Sequence, residues 1–143
     1  METLPLRLPP DTDLRAALEH AVTSRSCRAA FVLSGIGSLS QARLRRAGIT
    51  EADTITGDVE ILTLAGTISA NGAHLHMSIA DADDKVIGGH VAQGCIIRTT
   101  AEVLLVLLSD WSFSREHDPA TGFAELVVRH ASPKDNLHAP RAG

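Results

Sequence analysis

The sequence predicts an α/β domain of the α+β type, rich in strands and poor in helices, and three observations carry that expectation. Residues 72–91 alternate apolar and polar side chains on both sides of a turn-forming cluster, as a β-hairpin does. Residues 59–68, Val-Glu-Ile-Leu-Thr-Leu-Ala-Gly-Thr-Ile, form a strand closed by Ser69-Ala70-Asn71-Gly72, a turn that joins antiparallel neighbours. Only residues 13–24 repeat apolar side chains at helical spacing.

Leu4, Leu6 and Leu8 alternate with Pro5 and Arg7 before Pro9-Pro10, which predicts a short edge strand that the prolines stop. Asp11-Thr12-Asp13 then offers N-cap candidates. Leu14, Ala17, Leu18, Ala21 and Val22 follow as the narrow apolar stripe of a helix lying on a sheet, with Arg15, Glu19 and Arg25 directed outward. Residues 29–33 read as a buried strand. Ser34-Gly35-Ile36-Gly37-Ser38 reads as a tight glycine-rich turn rather than a phosphate cradle, because it lacks the Gly-Lys-Ser/Thr ending of a P-loop. Residues 39–46 fit a half-exposed strand, and Arg43, Arg45 and Arg46 fit the positive charge that protects a sheet edge.

Residues 48–57 are polar and predict a loop or a short strand with its connection. After the strand over 59–68 and the hairpin over 72–91, residues 94–97 continue the hairpin's second strand or follow a bulge. The apolar run over 103–108 leaves two readings open. Thr99 and Glu102 have the spacing of a helix-capping box, whereas a strand buried on both sides, the favoured reading, needs no cap. Residues 109–121, with Trp111, Phe113, Arg115 and His117, are expected to be a loop around small apolar anchors. A last strand is expected over 122–130, with Phe123, Leu126 and Val128 in the core. Residues 131–143 are expected to be a tail, disordered or laid on the surface, so that the domain spans 1–130.

The hairpin holds the chemistry. His74, His76 and Ser78 share one face of the first strand, while Ala73, Leu75, Met77 and Ile79 share the other. Matching the apolar faces across the Asp81-Ala82-Asp83-Asp84-Lys85 turn sets Ile79 opposite Ile87 and Leu75 opposite Val91, and therefore His76 opposite His90. Three neutral imidazoles on one side of one hairpin are a facial ligand set for zinc, iron or another borderline metal. The plainer alternative is a pair of solvated or hydrogen-bonded surface histidines. Gly88-Gly89 beside His90 suits close approach of another backbone or of a ligand. His20, His117, His130 and His138 read as surface or capping residues.

At 143 residues the chain can bury a core without staples, and 44% hydrophobic with 21% charged residues describes a globular protein. Aromatics at 3%, with no tyrosine, argue against base stacking, and a net charge of −4 leaves no surplus to attract phosphate backbones. Cys27 and Cys95 form no Cys-x-x-Cys pair and read as small buried thiols of a reducing compartment. The N-terminus lacks a signal-peptide pattern and no apolar run is of membrane-spanning length, so a cytoplasmic location is expected.

Phe31-Val32-Leu33-Ser34-Gly35-Ile36-Gly37-Ser38, the segment from Gly57-Asp58-Val59-Glu60 through Gly66-Thr67, His74-Leu75-His76, Gly88-Gly89-His90-Val91 and Thr100-Ala101-Glu102-Val103 occur in an order that resembles the plants-and-prokaryotes-conserved (PPC) domain in its stand-alone prokaryotic form. The resemblance covers about residues 4–130. It implies a largely antiparallel sheet, similar to that of acetolactate decarboxylase, and assembly as a homotrimer. It also implies a divalent metal, often zinc, on the residues that here are His74, His76 and His90. In plants the domain accompanies AT-hooks that contact the minor groove; this chain has no Arg-Gly-Arg-Pro hook.

Three functional expectations result. The first is a metal-bearing, self-assembling binding module for a small ligand, in which the trimer buries apolar surface of the 103–108 run, with an association with DNA-linked regulation among its expected roles. The second is a metal-dependent lyase-like or hydrolase-like enzyme on a small oxygenated substrate, with Glu102 relaying a proton or orienting a ligating histidine. The third is DNA binding through Arg43, Arg45 and Arg46, which the charge disfavours.

Overall fold

The computed structural model describes residues 1–131, so the expected tail beyond Ala131 lies outside the described residues. The elements run β1 (Glu2–Leu8), α1 (Leu14–Thr23), β2 (Ala29–Arg45), β3 (Asp53–Ser69), β4 (Gly72–Ala80), β5 (Val86–Val91), β6 (Ile96–Leu107), β7 (Trp111–His117) and β8 (Ala124–His130). Six strands form one antiparallel sheet in the order β1-β6-β2-β3-β4-β5, and β7 with β8 forms a second. The end of β2 also pairs with β5, Leu44 opposite Val91 and Arg45 opposite His90. Strands β2 to β5 therefore close into a ring.

Helix α1 begins where its cap dictates. Asp13 accepts from the Ala16 amide at 2.9 Å and, with its other oxygen, from Gly94 at 2.6 Å, so one carboxylate caps the helix and ties it to the loop before β6. Leu14, Leu18 and Val22 are buried in one core cluster with Leu39, Ile68, Leu75, Ile79 and Leu105. Arg15 and Glu19 are not simply outward. They pair at 3.0 Å, Arg15 donates to the Val91 and Ala73 carbonyls, and Glu19 accepts from the Ala73 amide. The polar edge of the helix thus clamps the ends of β4 and β5.

The expected turn at residues 34–38 is not a turn. Ala29–Arg45 is one strand of 17 residues, and its glycines lie mid-strand where β6 presses close. A Cβ on Gly37, whose φ is +152°, would lie 2.5 Å from the Thr100 carbonyl oxygen. The register against β6 shifts on either side, between Val32 and Ser34 and between Gly37 and Leu39, so these residues admit bulges. With β2 between β3 and β6, its arginines do not guard an edge as expected.

The 103–108 run is strand, as favoured. β1 bonds one side of β6 and β2 the other, which satisfies the backbone without a helix. Val103, Leu105 and Leu107 enter the core, whereas Leu104 and Val106 are half-buried on the opposite face. Two expectations near the C-terminus are corrected. Residues 111–117, expected as loop, form β7, because Phe113 packs edge-on against Phe31 while every residue of the strand pairs with β8. Phe123 and Val128, expected in the core, are 72% and 50% exposed, and Leu126 is half-buried, since β8 is the outer strand of a two-stranded sheet.

Candidate metal centre

The hairpin has the register that the apolar pattern required: Ile79 lies opposite Ile87 and His76 opposite His90. Its turn is locked by Asp81, whose Oδ1 accepts from the Asp83 and Lys85 amides at 3.0 and 2.9 Å. Ala73, Leu75, Met77 and Ile79 are buried, which drives His74, His76 and Ser78 to the other face. Gly89 brings in the third ring. A Cβ there would lie 2.7 Å from the Arg45 carbonyl oxygen, so glycine lets β5 approach the end of β2 and close the ring of strands at His90.

The three imidazoles converge. His74 Nε2 lies 3.1 Å from His90 Nδ1 and 3.2 Å from His76 Nε2, and one ligand nitrogen from each ring falls within 4.8 Å of the others. Metal–nitrogen bonds of about 2.0–2.1 Å at tetrahedral angles place donor atoms about 3.3 Å apart, and the His74–His90 and His74–His76 spacings match that separation. N–H···N hydrogen bonds have the same length, so the cluster is also self-consistent as a hydrogen-bonded set. Their surroundings favour the neutral form of two of the rings. Burial first, then Arg115 and the neighbouring histidines, holds His74 below the usual imidazole range. Burial and then Arg45 do the same to His90. Neutral imidazole is the form that binds metal.

Residues remote in sequence complete the surroundings. Asn71 in the β3–β4 turn accepts from the Arg115 amide at 2.8 Å and donates to the Arg115 carbonyl at 2.9 Å, imitating a backbone partner for β7. Arg115 is thereby set beside the hairpin, where its Nη1 lies 3.2 Å from His74 Nδ1. Its other nitrogen donates to the Ala124 carbonyl and lies 3.7 Å from Glu125. Sequence reasoning left Arg115 in a loop. The available signal was the alternation of Trp111, Phe113 and Arg115 with Ser112 and Ser114.

The other expected site residues are distributed differently. Glu102 on β6 is separated from β4 by β2 and β3, and its neighbours are Arg7 and Ile36. It therefore does not orient a histidine of its own chain. Arg46 pairs with Asp53 at 2.7 Å, while Arg43 and Arg45 line a recess beside His74 and His90, so the three do not form one outward patch. Cys27 and Cys95 are free thiols, and burial pushes the Cys95 thiol up. His130 stacks on Trp111, and His138 lies outside the described residues. Among the described residues no helix is long and apolar enough to cross a membrane.

A closed antiparallel sheet with one helix and a three-imidazole cluster at its β4–β5 hairpin defines a small α+β domain with a candidate metal centre. The chain belongs to the Plants and Prokaryotes Conserved (PCC) domain family, also abbreviated PPC, which it matches over residues 1–109. It is similar to the bifunctional protein GlmU of Synechococcus sp. (strain JA-3-3Ab), with 43% identity over 146 residues, covering 100% of this chain and 24% of that protein. The chain thus spans about a quarter of the length of this curated relative. Among solved structures, a hypothetical protein from Salmonella cholerae-suis (Salmonella enterica) is 33% identical with a TM-score of 0.87, over 90% of this chain and 94% of that one. The metal-containing protein AF0104 from Archaeoglobus fulgidus shares the fold, with 24% identity and a TM-score of 0.76 over 89% of this chain and 94% of that one.

Proposed function

We propose that this chain is a metal-bearing, self-assembling binding module in which His74, His76 and His90 hold a divalent cation, zinc foremost, facing a small ligand. The observation that carries the reading is the convergence of three ring nitrogens, two of which, on His74 and His90, are held toward the neutral form. The metal-containing character of the Archaeoglobus fulgidus protein with the same fold supports it. When bound, the cation supplies a Lewis-acid centre that polarises a ligand oxygen. The catalytic alternative needs a proton carrier, and Glu102, its candidate, stands two strands away in the same chain. Direct duplex binding is not part of the reading, because Arg46 is paired and Arg43 and Arg45 line a recess.

Arg115 has a definite part in this scheme. A guanidinium donating to His74 Nδ1 leaves the hydrogen of the neutral ring on Nε2, the atom that faces His76 and His90. Coordination through Nε2 shifts that hydrogen to Nδ1, so a bound cation and the Arg115 contact exclude each other. Self-assembly, as a homotrimer in this reading, is supported by apolar side chains exposed on β2 and β3, Leu33, Ile36 and Leu62 at 62%, 53% and 45%, with Ile36 sharing a recess with Leu104. Light scattering on the purified chain should return three times the monomer mass.

Elemental analysis after purification without a chelating resin tests the metal. One equivalent per chain is expected, falling at least tenfold in His76→Ala, which alters an exposed side chain and leaves the core intact. Wild-type protein that holds no metal and takes up none from added zinc ends the reading.

A further inference from the structure

We propose that the recess beside the histidines is an oxyanion subsite, in which Arg43 and Arg45 take the carboxylate or phosphate of a small organic acid whose remaining atoms face the imidazoles. It deepens the binding-module reading and rests on it for the metal side only.

The recess has a volume of about 440 Å³, the size of a small-molecule site, and Arg15, Arg43, Arg45 and Arg115 line it together with His74 and His90. Four arginines lining one recess stand out in a chain whose net charge is −4. Their hydrogen bonds separate them into two classes. Arg15 is engaged by Glu19 and by two carbonyls, and Arg115 by His74, Ala124 and Glu125. Arg43 and Arg45 are not so engaged. Among the described residues neither is in an ion pair with a carboxylate. Arg45 gives one nitrogen to the Ile49 carbonyl at 3.1 Å, and Arg43 has only a 3.4 Å contact to the Gln93 carbonyl. The Arg43 Nε is buried with no hydrogen-bond partner. A guanidinium offers donors and no acceptor, so the Nη groups of these two half-buried arginines, which no carboxylate engages, are free to take an anionic acceptor.

Placement relative to the histidines is fixed by backbone. Arg43 and Arg45 are two residues apart on β2 with buried Leu44 between them, so they share the face opposite the core. Arg45 is the register partner of His90 and also lines the adjoining recess with His74, Ile49 and Phe123. The acidic residue in the wall of the first recess is the exposed Glu51, which lies in the loop before β3 and pairs with neither arginine. A ligand held by its anionic end on these arginines has its neighbouring atoms at the imidazole cluster. That geometry suits an acid with a hydroxyl or carbonyl next to the anionic group.

Isothermal titration calorimetry on the full chain tests the subsite, in phosphate-free and carboxylate-free buffer, with zinc-loaded and with chelator-stripped protein. The probes are lactate, inorganic phosphate and the uncharged lactamide. Lactate or phosphate should bind at one per chain and lactamide should not; the stronger of the two shows whether a carboxylate or a phosphate is preferred. Arg45→Gln and Arg43→Gln should each weaken binding by roughly tenfold or more, whereas Arg129→Gln, remote on β8, should leave it unchanged. Should Arg43→Gln fail to fold because it packs beside Cys95, Arg45→Gln carries the test, with its unfolding curve as the control. Failure of both anions to bind either protein form, or binding that both variants leave intact, overturns the proposal. Metal content is measured on the same samples. Bound metal without anion binding removes the subsite alone, and anion binding without metal keeps the subsite and removes the metal reading.

Discussion

Hairpins β4–β5 and β7–β8 have the same antiparallel pairing and are joined by the His74–Arg115 contact, yet they are held by different forces. β4 buries Ala73, Leu75, Met77 and Ile79 in the main core. The second hairpin buries Phe113 alone and is otherwise held by polar contacts: backbone bonds of Phe113 with Arg28 and Ala70, side-chain bonds from Asn71, and surface charge pairs. A site built from both draws its precision from apolar packing and its adjustability from polar docking. The hairpin that carries the three histidines is the one anchored in the core, and the hairpin that carries Arg115 is the one held mainly by polar contacts.

The largest break in that comparison should come from the core. Leu75→Ala should cost about 2–5 kcal/mol and Leu126→Ala, on half-buried β8, under about 1 kcal/mol, in chemical denaturation of the metal-free chain. Equal losses would mean that the two hairpins are not held differently. Next, Asn71→Ala removes both bonds to the Arg115 backbone and should cost about 1–2 kcal/mol. Hydrogen exchange should quicken at the β7 amides while those of β4 and β5 keep their protection. Smaller still, Arg115→Met should tighten zinc binding severalfold in competition titrations, because it deletes both the donor on His74 Nδ1 and a positive charge that opposes the cation; weaker binding would show that Arg115 supports the centre.

Acid separates the hairpins in sequence. His74 and His90 are held below 6.5 in the folded chain, so between 6.5 and their lowered values the unfolded chain binds more protons. Their contribution to stability is complete above pH 6.5 and is lost as pH falls through that window, an effect that His74→Gln should diminish in metal-free protein. Glu116 on β7 is lowered from 4.5 to about 2, chiefly by its hydrogen bond with Arg129 of β8. Its contribution is present above pH 4.5 and disappears as pH drops toward 2. The pair is exposed, so this is the smallest effect, and high salt should erase it.

Much of the first hairpin was legible. Alternation fixed its faces, the aspartate-rich turn fixed its ends, and matching apolar residues fixed the pairing of His76 with His90. The α1 boundaries were legible too, because Asp13 caps locally. The glycines at 35 and 37 misled, because glycine marks a close approach within a strand as readily as a turn, and only the position of β6 separates the two. β7 and β8 misled for the opposite reason. With one face scarcely buried, their apolar residues carry little information about what lies inside.

By itself the sequence determined which side chains share a face, since period-two alternation is a property of the strand alone, and so it determined that three imidazoles would stand together. Which groups face them was decided only by tertiary structure. Arg45 arrives because β5 closes onto the end of β2, and Arg115 because Asn71 docks β7 from 44 residues away. Such contacts depend on where whole strands come to rest, and no local repeat in the chain encodes that.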